Sequence, residues 1–157
     1  MPEDAVLLTK AGYDRLVQEL DQLKSVKRPE VAALIREAQE LGPDQLDAQY
    51  EDAKNQQAFL EGRIAEIERT LEQASIIDEA SAHRSKVVQV GSNITVKGSD
   101  GKSRKYQLVG PTEADPTQGR ISHKSPVGQA LLGKKRGDTV KIQTPRGETQ
   151  FTVTSIS

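Results

Sequence analysis

Leu46, Tyr50, Ala53, Gln57, Leu60, Ile64, Ile67, Leu71 and Ala74 follow one another at alternating steps of four and three residues, the 3.5-residue period of a coiled-coil seam. Such a stripe constrains the fold strongly, because a helix carrying it is stable only when a second helix covers it. Gln57 is the one polar interruption. The chain ahead of the stripe supplies a second helix: Thr9 can cap its start, and Tyr13, Leu16, Leu20 and Leu23 lie on a seam of the same spacing. After Arg28-Pro29 the apolar positions become Val31, Leu34, Ile35, Ala38 and Leu41. The register changes there, and Pro29, which lacks a backbone donor, is expected to kink the helix. Gly42 and Pro43 then end this arm as a C′ glycine and a breaker. At 1.5 Å per residue, arms of about thirty residues are roughly 45 to 50 Å long. The two arms are expected to pack as an antiparallel coiled-coil hairpin.

Charge divides the chain into two parts. Residues 1–80 hold 9 Lys and Arg against 18 Asp and Glu, whereas residues 81–157 hold 13 against 5. The net charge of −1 conceals this polarity. From about Lys86 the helical period gives way to short extended runs, Val87 to Val90, Ile94 to Val96, Tyr106 to Val109, Thr139 to Ile142 and Phe151 to Val153. Gly and Asp turns punctuate them. Ser125, Pro126 and Gly133 frame one short helix as N-cap, first helical residue and stop. The expected class is α+β: a hairpin domain over 1–78 with an acidic tip near 40–50, a connector around 75–85, and over 79–157 a small antiparallel sheet with one short helix.

Chemistry intrinsic to the chain is scarce. With no cysteine there is no disulfide frame and no thiolate zinc site. His83 and His123 have no carboxylate at metal-ligand or triad spacing, and both read as surface histidines. No glycine-rich phosphate loop follows a strand. Two Phe, three Tyr and no Trp make neither a base-stacking platform nor an aromatic-walled pocket. A catalytic centre, a resident metal and a cofactor are therefore not expected. Without an apolar run long enough to span a bilayer, the expectation is a soluble, cytoplasmic monomer with no membrane partner.

The tip is the exception. Glu37, Glu40, Asp44, Asp47, Glu51 and Asp52 lie within one stretch that holds no Lys or Arg. Asp44 and Asp47 are three residues apart, so on a helix they share a face and could perturb a hard cation in another molecule's active site. The alternative reading is structural: Asp44 as an N-cap and Asp47 at N3, favoured by the helix dipole. Capping uses one or two carboxylates, and the stretch has six.

Lys24-Ser25-Val26-Lys27-Arg28-Pro29-Glu30, Arg36-Glu37-Ala38, Ala48-Gln49-Tyr50 and Gln56-Gln57-Ala58-Phe59-Leu60-Glu61-Gly62-Arg63-Ile64 resemble the Gre family of bacterial transcription factors. So do Ile121-Ser122, the run from Ser125 to Lys134, and Thr144-Pro145-Arg146-Gly147. The resemblance covers nearly the whole chain. It implies a coiled-coil hairpin, a second domain of FKBP-like fold, and RNA polymerase as partner, with the hairpin entering the secondary channel and the second domain on a coiled coil at the channel rim. It further implies docking through Ser122, Ser125, Pro126, Gly128 and Leu131, and contact of Lys24, Lys27, Arg28 and Arg36 with the nascent RNA 3′ segment. A solvated helix face is the other reading of those four cations. Prolyl isomerisation, known for FKBP-type folds elsewhere, does not suit a chain so poor in aromatics.

In Gre cleavage factors, tip carboxylates help the polymerase hold a second metal ion. The similar factors carry Gly-Asp-Leu-Lys-Glu-Asn-Ala-Glu-Tyr at the tip, where this chain reads Gly42-Pro43-Asp44-Gln45-Leu46-Asp47-Ala48-Gln49-Tyr50. Pro43 and Leu46 stand at the two acidic positions, and carboxylates return one residue later. One residue turns a side chain by about 100° around a helix. The altered tip resembles the Gre-factor homologue branch of the Deinococcus-Thermus group, which restrains polymerase. The expected function is thus a polymerase-binding elongation regulator that modulates catalysis, pausing or termination, with weak or no transcript cleavage. Asp44, Asp47 and Glu40 would act near the polymerase-bound Mg or Mn ion, and Gly42, Pro43, Leu46 and Tyr50 would shape the tip. The alternative is a cleavage-stimulating factor that rescues backtracked complexes. A generic coiled-coil adaptor is disfavoured, because the match runs through both parts of the chain.

Overall fold

The computed structural model describes residues 5–41 and 43–157, except for the side chains of 43–47 and 144. The chain divides into two compact units, one of Tyr13–Gln73 and the other of the chain up to Gly12 with Ala74–Ser157. Helix α1 (Lys10–Gln22) starts where Thr9 Oγ1 accepts the Gly12 N–H at 3.0 Å, as a capping threonine should. A π-helical turn (Leu23–Lys27) leads into α2 (Arg28–Gln39), and α3 (Pro43–Glu72) forms the return arm.

The seam read from the sequence faces inward along α3. Ala53, Leu60, Ile64 and Ile67 are buried, and Tyr50, Gln57 and Leu71 are half-buried. Val31, Leu60 and Ile64 form the centre of the hairpin core, with Leu20, Leu23 and Ile35 against them. Leu46, the first seam position, lies outside the described side chains.

The π turn explains the change of register on the first arm. The Arg28 N–H bonds to the Leu23 carbonyl, five residues back, so the turn holds one residue more than an α turn. Continued from Leu16, Leu20 and Leu23 without a break, the seam would fall on Lys27, Glu30, Leu34 and Glu37. Shifted by one residue it falls on Arg28, Val31, Ile35 and Ala38. Val31 and Ala38 are 8% and 2% exposed, while Leu34 is 40% exposed. The insertion also accommodates Pro29, which has no N–H for the preceding turn. Ser25 Oγ donates to the Asp21 carbonyl at 2.6 Å, on the turn before it.

The second unit holds β1 (Val6–Leu8), β2 (Ala74–Ile76), α4 (Glu79–Arg84), β3 (Asn93–Gly98), β4 (Ser103–Val109), β5 (Arg120–Ser122), α5 (Pro126–Leu131), β6 (Thr139–Thr144) and β7 (Gly147–Ile156). The α+β class is as expected. The main sheet has the order β5-β4-β3-β7-β6 and is mixed, not wholly antiparallel, because β5 lies parallel to β4. Two 3-10 turns, Pro111–Glu113 and Pro116–Gln118, return the chain for that pairing. A second, two-stranded sheet pairs β1 with β2 in parallel. The run Val87 to Val90 does not form the strand expected of it: only Val87 makes a bridge, to Lys135. Val88 is buried and bonds through its N–H to Lys134 and through its carbonyl to Gly133. Gly91, at φ +99°, turns the chain before a ladder can extend. The stretch expected as connector carries β2 and α4, whose N-cap Asp78 accepts the Ser81 N–H at 3.0 Å.

One face of the main sheet forms the core with α5: Ile94, Val96, Leu108, Ile121, Val140, Ile142, Phe151 and Val153, together with Val88 and Leu131. Arg104 lies over the Phe151 ring, 5.6 Å from its centroid. Ser125 caps α5 by accepting the Gly128 N–H at 3.0 Å, and Gly133 ends the segment at φ +78°. Gly128 is buried against β5, where a Cβ would collide with the Ser122 carbonyl oxygen. We expect Gly128→Ala to destabilise this unit by about 1–3 kcal/mol, the usual cost of overpacking a core, measured as a lower urea midpoint.

Candidate functional site

The residues singled out from the sequence fall in three places: the hairpin tip, the side of the first arm, and the turn from β5 into α5. At the tip, the expectations for Gly42 and for the side chains of Pro43, Asp44, Leu46 and Asp47 lie outside the described residues. Around them, Glu40 is exposed at the C-terminal cap of α2, and its N–H reaches the Arg36, Glu37 and Ala38 carbonyls. Tyr50 is half-buried on the seam, and Glu37, Glu51 and Asp52 are exposed. Asp52 accepts a hydrogen bond from Gln56 at 3.0 Å. Among the described residues, no group of three or more His, Cys, Asp or Glu side chains is placed to hold a metal ion.

The first-arm cations take part in the hairpin itself. Arg28 makes a bidentate pair with Glu61 of α3, at 2.8 and 2.7 Å, and Lys24 reaches Glu68 at 2.8 Å. Lys27 pairs with Glu30 at 3.4 Å on its own helix. Arg36 is exposed. Lys24 and Arg28 therefore tie the two arms together, whatever else they contact. Hydrogen bonding to Arg28 draws the Glu61 carboxyl below its ordinary value, against a small opposing effect of desolvation.

Sequence reasoning missed a third link between the arms. Arg63 donates two hydrogen bonds to Glu19, at 2.8 and 2.9 Å, and also pairs with Glu66 at 3.3 Å. The signal was present: Glu19 precedes seam residue Leu20, Arg63 precedes Ile64, and positions flanking a seam are where opposite charges meet across a coiled coil. The Arg63 hydrogen bond lowers the Glu19 pKa and exceeds the opposing desolvation.

The residues expected at a docking surface, in the third place, divide by burial. Leu131 is 1% exposed and belongs to the core, and Gly128 is buried. Ser125 is occupied as the cap and donates to the Ser122 carbonyl at 2.7 Å, while Ser122 Oγ accepts the Lys124 N–H at 3.1 Å. Pro126, Gln129 and Lys124 are the exposed members of the turn and helix. Burial, and secondarily Lys124, pushes the His123 imidazole below its ordinary pKa.

Glu19 and Glu61 have folded pKa values below their unfolded ones. Their contribution to stability is complete above the ordinary carboxylate value of 4.5 and is lost as pH falls through the lowered values. We expect the hairpin to lose thermal stability below about pH 4.5, and Glu19→Gln to cost about 0.5 kcal/mol at pH 7 and little at pH 3, the scale of a partly exposed ion pair. Melting followed by circular dichroism at the two pH values measures both effects.

Residues 6–76 match the family model described as "Transcription elongation factor, N-terminal", and residues 83–157 match the one described as "Transcription elongation factor, GreA/GreB, C-term". The chain is similar to transcription elongation factor GreA of Roseiflexus sp., with 44% identity over 99% of both chains. It is 44% identical to GreA of Thermomicrobium roseum over 94% of both, and 46% identical to GreA of Thermoanaerobacter pseudethanolicus over 90% of both. Among solved structures, GreA factor homolog 1 of Thermus thermophilus is 36% identical, with 98% of this chain and 99% of that one covered and a TM-score of 0.45.

Proposed function

This chain belongs to the Gre family of transcription elongation factors, and from that premise we propose that it restrains or modulates RNA polymerase through the secondary channel without efficient transcript cleavage. The observation that carries this reading is the order of residues at the tip. Pro43 and Leu46 occupy the two positions at which cleavage factors present carboxylates, and Asp44 and Asp47 follow one residue later. On a helix that step rotates a side chain by about 100°, enough to turn a ligand away from a metal that accepts oxygen donors only within about 2.0–2.6 Å. Asp44, Asp47 and Glu40 would then act near the polymerase-bound Mg or Mn ion without positioning a water for attack.

The fold fits a factor that lends its side chains to another enzyme's active site. A hairpin cross-linked by Arg28–Glu61, Lys24–Glu68 and Arg63–Glu19 is a stalk able to hold its tip steady. The nascent RNA 3′ segment remains the partner proposed for the arm cations. Lys24 and Arg28 are engaged across the hairpin, whereas Lys27 pairs within its own arm and Arg36 is exposed. Docking at the channel rim falls to the exposed Pro126 and Gln129.

A second reading, a cleavage-stimulating factor, is favoured by one finding: relatives at 43–46% identity are named transcription elongation factor GreA. The two readings part in a stalled, backtracked elongation complex. We expect the protein to leave the transcript largely uncleaved and to slow nucleotide addition. Asp44→Asn with Asp47→Asn should abolish the slowing while polymerase binding persists. Pro43→Asp with Leu46→Glu should move the protein toward cleavage. Cleavage by the unaltered protein at the rate of an ordinary Gre factor would establish the second reading.

Docking has a separate test. Gln129→Glu should weaken competition with a cleavage factor for polymerase by about fivefold or more, the scale of about 1 kcal/mol at an interface anchor. The melting temperature should not change, because Gln129 is exposed. Gly128 is unsuitable for this purpose, since any side chain there disrupts the packing of α5 on β5.

A further inference from the structure

In residues 81–157 the carboxylates are engaged by hydrogen bonds or ion pairs within their own unit and most of the cations are not. Asp100 accepts from the Lys102 N–H and from Arg104, each at 3.0 Å. Glu113 receives the Thr9 N–H and hydroxyl, each at 2.6 Å. Asp115 accepts from the Thr117 N–H and hydroxyl, Asp138 accepts the Lys135 N–H, and Glu148 faces Lys141 at 3.9 Å. The excess of thirteen cations over five carboxylates is therefore left to the surface, where it favours anions.

That excess meets a concave surface at one place. Along β3, β4 and β5 alternate residues point away from the core, and the register sets Asn93 beside Gln107, Thr95 beside Lys105, and Gln107 beside Arg120. These side chains, with Gln118 and the end of β7, line a groove of about 550 Å³. Small-ligand sites typically occupy about 300–1,000 Å³. Lys105 and Arg120 make no ion pair among the described residues, and one same-face step along a strand, about 7 Å, separates their rows. The three carboxamides offer donors and acceptors together. Glu79 of α4 bears on the groove, accepting from Gln107 Nε2 at 3.4 Å, and Ser157 lines it beside Asn93.

We propose that this groove binds a nucleoside di- or triphosphate, with Lys105 and Arg120 on the phosphates and Asn93, Gln107 and Gln118 on the polar edges of the ribose and base. Two cations lining one groove suit adjacent phosphates, and a guanidinium can hold a phosphate through two parallel hydrogen bonds. A nucleic-acid strand fits less well, because strand-binding surfaces stack successive bases on exposed aromatics. Tyr106, the aromatic residue of this groove, packs against the core. The groove belongs to neither the tip nor the turn into α5, so the proposal does not depend on the function assigned to them.

The test is isothermal titration of the full-length protein, without polymerase, with ADP, inorganic tripolyphosphate and a short single-stranded RNA. The expected result is saturable ADP binding, weakened about tenfold, or 1.4 kcal/mol, by Lys105→Ala and by Arg120→Ala, and strengthened by Glu79→Gln. Amide shifts in the unaltered protein should move at Asn93, Gln107 and Gln118 on ADP addition, which locates the site even where a variant fails to fold. Absence of saturable binding up to about 5 mM ADP, an affinity near the millimolar end of the usual scale, overturns the proposal. So does tripolyphosphate binding as tightly as ADP, RNA binding in place of ADP, or ADP affinity unchanged in both alanine variants.

Discussion

An apolar stripe on a single helix is unstable in water, and each arm of the hairpin relieves this for the other. Val31, Leu60 and Ile64 are buried only because α2 and α3 lie side by side. Everything proposed for the tip presupposes that pairing, because a pair of carboxylates can reach another enzyme's metal only from a support that does not bend. Burial of a medium apolar side chain is worth about 1.5–3 kcal/mol. The charged pairs beside the seam are partly exposed and weaker, so the seam supplies most of the stability and the ion pairs fix the alignment.

One inserted residue keeps that seam continuous. Without the π turn at Leu23–Lys27, the stripe of Leu16, Leu20 and Leu23 would present Lys27, Glu30 and Glu37 to α3. With it, Arg28, Val31 and Ala38 take their places. Pro29 is thus less a break than a reason for the wider turn. The same segment places Lys24 and Arg28 opposite Glu68 and Glu61, so cations that read as an RNA-facing row are also the clasps of the hairpin.

The second unit spends its few carboxylates on turns and caps, which leaves a basic exterior around a mixed sheet. Close approach of α5 to β5 at Gly128 gives the exposed side of that turn its shape. Ser125 and Ser122 are tied into the turn's own hydrogen bonds. The turn therefore presents a preformed surface of Lys124, Pro126 and Gln129, with Gly128 and Leu131 behind it.

Periodicity made the hairpin legible. Heptad spacing from Tyr50 to Leu71 and capping chemistry at Thr9, Ser125 and Gly133 are local signals whose physics acts within a few residues; Ala74, the last position of the expected seam, went to β2 instead. The sequence by itself also determined the identity of the tip, since the order Pro43, Asp44, Leu46, Asp47 is covalent fact and sets which side chains can be offered to a metal. Only tertiary structure decided the rest. Pairing of β1 with β2 joins residues about seventy positions apart, β5 is three residues long, and the run from Val87 to Val90 lost its strand to the turn at Gly91. In each case the deciding partner is distant in sequence, and β-structure draws its stability from that partner more than from intrinsic preference. Glu19 with Arg63 and the cations beside Asn93 and Gln118 belong to the same class, because no local pattern records which distant side chains the fold brings together.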